Sequence, residues 1–141
     1  MSLVLTTPRL HLTYEPDIET LDWIGGGRCG VYYLWCEAKS AGAISMTSVS
    51  KASGEIGYEL DPEYRGIGFA TEALAAVVDA APERHGFTVL SAQAYADNVA
   101  SLRVLEKTGF ARVGSKLVWS QSRRGAVGVI KYRRFANGAH P

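Results

Sequence analysis

Gly57-Tyr58-Glu59-Leu60-Asp61-Pro62-Glu63-Tyr64-Arg65-Gly66-Ile67-Gly68-Phe69-Ala70-Thr71-Glu72 carries two different periodicities joined by a turn. From Glu55 to Leu60 polar and apolar residues alternate, the period of a half-buried strand, and the run stops at Asp61-Pro62. After a short turn, Arg65-Gly66-Ile67-Gly68-Phe69-Ala70 opens an alanine-rich helix. Glycines there clear side chains away from a helix N-terminus, whose first N–H groups have no partner inside the helix. Those donors, together with the positive end of the helix dipole, favour an anion, most naturally a phosphate. Arg65 adds a fixed positive charge beside them. The segment reads as a holder for a phosphorylated ligand between a strand end and a helix start.

Two familiar phosphate loops do not fit. The dinucleotide fingerprint Gly-x-Gly-x-x-Gly would need a third glycine where Thr71 stands, and the P-loop string Gly-x-x-x-x-Gly-Lys-Ser/Thr is absent. The segment instead resembles the pyrophosphate motif of the GNAT superfamily of N-acetyltransferases, Arg/Gln-x-x-Gly-x-Gly/Ala, with Arg65, Gly68 and Ala70 in the defining positions.

A second string strengthens the resemblance. Asn98-Val99-Ala100-Ser101-Leu102-Arg103-Val104-Leu105-Glu106-Lys107-Thr108-Gly109-Phe110 reads as a capped helix with a hard stop. Asn98 is a good N-cap, Val99, Leu102 and Leu105 form an apolar face, and Gly109 suits the left-handed C-terminal position. The string is similar to the Asn-x-x-Ser segment ending in Gly-Phe of the branch that contains the ribosomal-protein N-terminal acetyltransferases. Leu5-Thr6-Thr7-Pro8-Arg9-Leu10-His11-Leu12, the Ile56-Gly57-Tyr58-x-Leu60 strand and Thr71-Glu72-Ala73-Leu74 match that branch too, in the order the family requires.

Composition agrees. The chain has 141 residues, enough for one domain with a single core, expected over 1–141. A net charge of +1 excludes wholesale nucleic-acid binding, and no apolar run reaches the length of a membrane span. The N-terminus lacks a basic region followed by an apolar one, so a cytoplasmic protein is expected. Cys29 and Cys36 are too few for a disulfide framework or a zinc site, and no metal is expected.

The expected fold is α/β. A GNAT-like mixed, mostly antiparallel central sheet of about seven strands is flanked by helices, with a shortened first helical region. Strands are expected at 3–14, 30–38, 41–50, 54–61, 88–95, 110–119 and 126–135. Helices are expected at 17–24, 68–82 and 98–107, with one crossover at 61–88. Family members usually place two helices between the first two strands, where they wall the acceptor site. About sixteen residues separate Tyr14 from Val31, room for one short helix and the Gly25-Gly26-Gly27 loop. Either the site is unusually open or a second copy, in a homodimer, supplies the wall.

The resemblance implies acetyl-CoA as cosubstrate and acetyl transfer to a primary amine by direct attack. Its pantetheine arm would lie along Glu59-Leu60-Asp61, with the Leu60 N–H as oxyanion donor, a role worth roughly 3–4 kcal/mol in other acyl-transfer sites. Arg65, Gly66, Ile67, Gly68, Phe69, Ala70 and Thr71 would hold the pyrophosphate, and Asn98 would bond the arm while capping its helix. The tyrosine that many relatives carry seven residues after the asparagine is Leu105 here. Ser101 takes the place of the serine proposed as acid in the ribosomal-protein branch; otherwise it is a first-turn serine bonding local backbone. No Asp or Glu follows Glu106, so a late-strand carboxylate base is excluded. Glu55 and Glu59, on one strand face, remain as base candidates or as solvent-facing residues, with His11 a weaker option.

Tyr32, Tyr33 and Trp35 are read mostly as core or dimer surface; a cluster of aromatics beside the thioester would suit a peptide N-terminus or a small amphipathic amine as acceptor. Arg123-Arg124 favours an acidic acceptor or is a solvated hairpin tip. The alternative reading is a non-catalytic acyl-CoA-binding or sensor module, favoured by the short wall and the missing tyrosine and late carboxylate.

Overall fold

A computed structural model of the chain describes residues 4–18 and 29–136. Eight strands form one sheet: β1 (Val4–Thr6), β2 (His11–Ile18), β3 (Cys29–Cys36), β4 (Lys39–Ser48), β5 (Ser53–Leu60), β6 (Val89–Tyr95), β7 (Ala111–Ser120) and β8 (Gly125–Phe135). Helix α1 (Phe69–His85) links β5 to β6, and α2 (Val99–Lys107) links β6 to β7. The spatial order is β1-β2-β3-β4-β5-β6-β8-β7, antiparallel throughout except for the parallel β5–β6 pair. The fold is the mixed α/β, mostly antiparallel arrangement expected, with eight strands in place of about seven.

The extra strand comes from Pro8. A single strand over 3–14 is corrected to a hairpin, because proline lacks the ladder N–H and presets a turn. Thr7 N–H donates to the Leu10 carbonyl at 2.9 Å, and the Leu10 N–H returns to Thr7 Oγ1 at 3.0 Å. The helix expected over 17–24 is corrected at its start, since β2 runs through Ile18. The rest of that segment, including Trp23 and the Gly25-Gly26-Gly27 loop, lies outside the described residues. Helix α1 passes Pro82 and ends at His85, one turn beyond the expected boundary. Arg84 Nη1 donating to the Val4 carbonyl at 3.3 Å, and His85 Nε2 2.6 Å from the Tyr32 hydroxyl, hold that last turn. Gly86 closes it in the left-handed conformation.

Alternation along the strands puts Leu12, Tyr32, Leu34, Ile44, Met46, Ile56 and Leu90 on one face. That face packs against Ala73, Leu74, Val77 and Val78 of α1 and Leu105 of α2 in one core. Each fully buried aliphatic side chain contributes about 1.5–3 kcal/mol. Val99, expected on the apolar face of α2, is 53% exposed, whereas Leu105 of that face is buried. No helix among the described residues is long and apolar enough to cross a membrane.

Candidate active site

The parallel ladder between β5 and β6 is short. Only Ser53, Gly54 and Glu55 pair across it, with Val89, Leu90 and Ser91, and beyond them β6 pairs with β8 alone. From Ile56 to Leu60, β5 therefore has one partner, β4, and the sheet opens into a gap. The Asp61 N–H donates to the Ala41 carbonyl at 2.9 Å on the β4 side. Period-two alternation then turns the N–H groups of Tyr58 and Leu60 toward the gap.

The turn after β5 leads into α1 through two left-handed glycines, Gly66 at φ 77° and Gly68 at φ 85°. A side chain at Gly66 would meet nothing within 4 Å, so conformation and not space requires glycine there. Arg65 Nε donates back to the Leu60 carbonyl at 2.8 Å and closes the turn. Arg9 braces the loop from behind: its Nη1 donates to the Ile67 carbonyl at 2.8 Å, and its guanidinium lies 4.4 Å from the Phe69 ring centre. Its Nε and N–H also bond Glu72, whose other donor is the Thr7 hydroxyl. Burial raises the Glu72 carboxyl, but the bonds from Thr7 and Arg9 outweigh it and hold the group below the usual carboxylate range. Arg9 had no assigned role from sequence; its partnership with Glu72 explains why the Thr7-Pro8-Arg9 and Thr71-Glu72 strings occur together.

On the other side of the gap, Asn98 caps α2 as expected, its Oδ1 accepting from the Ser101 N–H at 3.2 Å. The side-chain NH2 is left for a ligand. Gly109 is left-handed at φ 92°; its N–H reaches the Glu106 carbonyl and the Phe110 N–H the Leu105 carbonyl. This double bond pattern fixes the helix stop.

Between these walls lies a cavity of about 700 Å³ on the helix side of the sheet. Of the expected cofactor residues, Glu59, Leu60, Arg65, Gly66, Gly68, Ala70, Thr71 and Asn98 line it. Asp61, Ile67 and Phe69 do not: Asp61 is exposed, Ile67 offers its carbonyl to Arg9, and Phe69 is buried in the core. A second cavity, of about 290 Å³, occupies the gap itself and is lined by Ile56, Gly57, Gln93, Tyr95, Val118 and Val129 among others. The two cavities share Tyr58, Asn98 and Ser101.

Ser101 thus stands where the cavities meet, and Glu59 lines the larger one. Glu55 lines neither; it sits at the closed end of the gap between Thr47 and Ser91. His11 and Trp35 border a separate hollow on the opposite face, away from the gap. Tyr32 is fully buried in the core, as expected, and Tyr33 lies on β3, two strands from β5, so these aromatics do not stand beside the gap. Their place is taken by Tyr58 and Tyr95. The Tyr58 hydroxyl donates to the Ser101 carbonyl at 3.2 Å, and burial pushes its pKa up, so it stays protonated. Arg123 folds back over the Tyr95 ring at 4.3 Å and pairs with Asp97 at 2.7 Å, so this cation of the late pair is engaged.

Sequence reasoning missed Tyr58, Arg103 and Lys107 as cavity residues. A helical signal was there to be read: Ala100, Arg103, Val104 and Lys107 fall at i, i+3, i+4 and i+7, one stripe of α2.

Comparison with known proteins agrees with this architecture. Over 60 residues the chain is 42% identical to YoaA, an uncharacterized N-acetyltransferase of Bacillus subtilis (strain 168), covering 43% of this chain and 34% of that protein. The RimL ribosomal L7/L12 alpha-N-protein acetyltransferase in complex with coenzyme A superposes with a TM-score of 0.69 at 22% identity, over 79% of this chain and 64% of that one. An apo form of RimL gives a TM-score of 0.76 at 19% identity over 96% and 95% of the two chains. The chain spans less than two thirds of the first two relatives, and the structural likenesses speak to the fold. Residues 11–111, which include the glycine loop, both cavities' shared residues and most of the core, match the acetyltransferase (GNAT) domain, and the chain belongs to that family.

Proposed function

We propose that the chain is an acetyl-CoA-dependent N-acetyltransferase acting on a primary amine. The observation that carries this reading is the meeting of two cavities at Tyr58, Asn98 and Ser101. The larger suits a coenzyme with its pyrophosphate on the Gly66–Gly68 turn and the α1 N-terminus. The smaller gives an amine a route to the same point through the open sheet. Acetyl-CoA, when bound, would supply the activated thioester. The chain's part is alignment and polarisation: the gap-facing N–H of Leu60 would receive the carbonyl oxygen as it gains charge. Ser101 and the protonated Tyr58 carry the two hydroxyls among the residues that both cavities share, and either would serve as the proton donor to the leaving thiolate. Glu59 is the better placed of the two carboxylates to take the amine proton, directly or through water, since Glu55 stands at the closed end.

The fold likeness to RimL supports a protein α-amine as the acceptor class within this reading. The whole described unit would act as one domain.

Thermal unfolding with acetyl-CoA, coenzyme A, ATP and NAD, on wild type and Gly68→Asp, tests the cofactor. A ligand at about a hundred times its dissociation constant adds roughly 2.7 kcal/mol. Stabilisation by the coenzyme A pair alone, lost in the variant, is expected; none from either coenzyme A species would overturn the reading. Thiol release with peptide amines then separates enzyme from sensor. Tyr58→Phe or Ser101→Ala should lower kcat by about a hundredfold for whichever hydroxyl donates the proton. Tight binding with no turnover on any amine would leave the acyl-CoA-binding module.

A further inference from the structure

Much of the chain's positive charge is gathered in its last two strands. Residues 111–135, which form β7, β8 and their turn, hold seven of the fifteen Lys and Arg residues and none of the fourteen Asp and Glu residues. Arg123 and Arg134 are paired, with Asp97 and Asp79. Lys116, Lys131 and Arg133 are exposed, and among the described residues none of the three has an ion-pair partner.

Strand register brings these three together. Leu90 and Ala92 of β6 are buried on the helix side, so Ser91, Gln93 and Tyr95 project from the other face. Gln93 lies opposite Lys131 on β8 and Ser91 opposite Arg133, which puts both cations on that face. They stand about 7 Å apart along the strand. Lys116 of β7 lies opposite Val129, a diagonal step of about 7–8 Å from Lys131. The space around them is open: Ala111 faces Arg133, and Gly114 faces Lys131, where a Cβ would meet nothing within 4 Å. Like charges this close on one sheet face repel, and neither strand carries an acid to offset them.

The patch adjoins the smaller cavity. Gln93 and Val129, the register partners of Lys131 and Lys116, both line it, as does Val118 two residues beyond Lys116. Across the gap, β5 carries Glu55 and Glu59 and no Lys or Arg. The gap thus has an acidic flank and a basic one. An ammonium entering it is drawn toward the first, and a chain leaving over β8 crosses three cations. Nucleic acid needs a longer basic stripe than these three side chains make.

We propose that Lys116, Lys131 and Arg133 form a docking patch for acidic side chains that follow the reacting amine, and so select acceptors with an acidic N-terminal segment. This rests on the transferase reading above and names the acceptor class within it. Exposed ion pairs are individually weak, so selection comes from several acting together.

Two peptides test it, each with a free Ala-Ala N-terminus, continuing with three Glu or three Gln and ending in a fluorophore. By anisotropy, wild type should bind the Glu peptide about fivefold or more tighter at low salt, and the ratio should collapse near about 0.5 M salt. The Lys116→Ala/Lys131→Ala/Arg133→Ala variant should bind both peptides equally, and Lys131→Glu/Arg133→Glu should prefer a three-Lys peptide. Thiol release from acetyl-CoA should give the same ranking in kcat/KM. Equal affinity of wild type for the two peptides would overturn the patch, and so would a Glu preference that survives in the triple variant. Tighter binding of a short RNA of equal charge would also overturn it, by assigning the patch to nucleic acid. Absence of thiol release from every peptide would overturn the transferase reading, while anisotropy still decides the patch. All three side chains are exposed and mutually repulsive, so the triple variant should unfold no earlier than wild type, which keeps misfolding from explaining a lost preference.

Discussion

His85 ends α1 with its ring 4.8 Å from Tyr14, 5.7 Å from Tyr32 and 6.2 Å from Phe87, all centre to centre. Burial lowers its pKa, and the neighbouring Arg84 charge lowers it further. The neutral ring can accept the Tyr32 hydroxyl, whose own pKa burial pushes up to about 12, so both partners are uncharged at neutral pH. The sign of the pH dependence follows. The unfolded chain takes up a proton on this histidine near pH 6.5 and the folded chain only at lower pH. Stability is therefore complete above about pH 6.5 and declines as pH falls below it. Glu72, held below the usual carboxylate range, adds its own loss only in a more acidic window. Melting temperature measured from pH 7.5 to 5.5 should drop for wild type and stay flatter for His85→Gln. Parallel curves would show that His85 does not control this window. None of this was legible in the sequence, because nothing in Arg84-His85-Gly86 says that a tyrosine fifty-three residues earlier lies against it.

At the scale of elements, sequence reading succeeded where the signal was local. Asn98 and Gly109 mark both ends of α2 because their side-chain and backbone chemistry acts within a few residues. It failed where pairing decided: Pro8 looked tolerable inside a strand until β1 folded back on β2. The β3–β4 hairpin shows the same gap. Its two-residue turn puts Glu37 at φ 48° and Ala38 at φ 70°, left-handed positions that usually carry Asn-Gly. Neither residue signals a tight turn, and the expected strand at 30–38 therefore ran two residues past the end of β3 while the one at 41–50 began two residues after the start of β4. A non-glycine residue held there costs about 1 kcal/mol. Ala38→Gly should relieve this and raise the melting temperature by roughly 3 °C, read by calorimetry. An unchanged or lower value would mean that the added freedom of the unfolded chain offsets the relief.

Across the whole molecule, the glycine turn and the α2 cap were both anticipated, since each follows from a local string, Gly57 to Glu72 for the turn and Asn98 to Phe110 for the cap, and from the family these resemble. The order of the last strands was not legible, because periodicity gives a strand's faces and not its neighbours. β6 pairs with β8, which leaves β7 at the edge. There Leu117 is 75% and Trp119 71% exposed, on a ten-residue strand whose outer backbone has no partner in the sheet. Long apolar edges are surfaces for strand addition, and natural sheets usually blunt them with charge or proline. Lys116 is the strand's central charge, and it projects from the opposite face to Leu117 and Trp119. Two copies related by a two-fold axis could pair this edge antiparallel and cover both residues at once. The shortened acceptor wall raised the expectation of a second copy, and β7 is the surface best suited to meet it. Sedimentation should therefore show concentration-dependent dimers in wild type and monomers in Leu117→Lys/Trp119→Lys. The double variant should unfold within about 0.5 kcal/mol of wild-type monomer, because the replaced side chains are mostly in water. A wild type that stays monomeric at every concentration would mean that β7 tolerates its exposure, and would leave the open site as the working form.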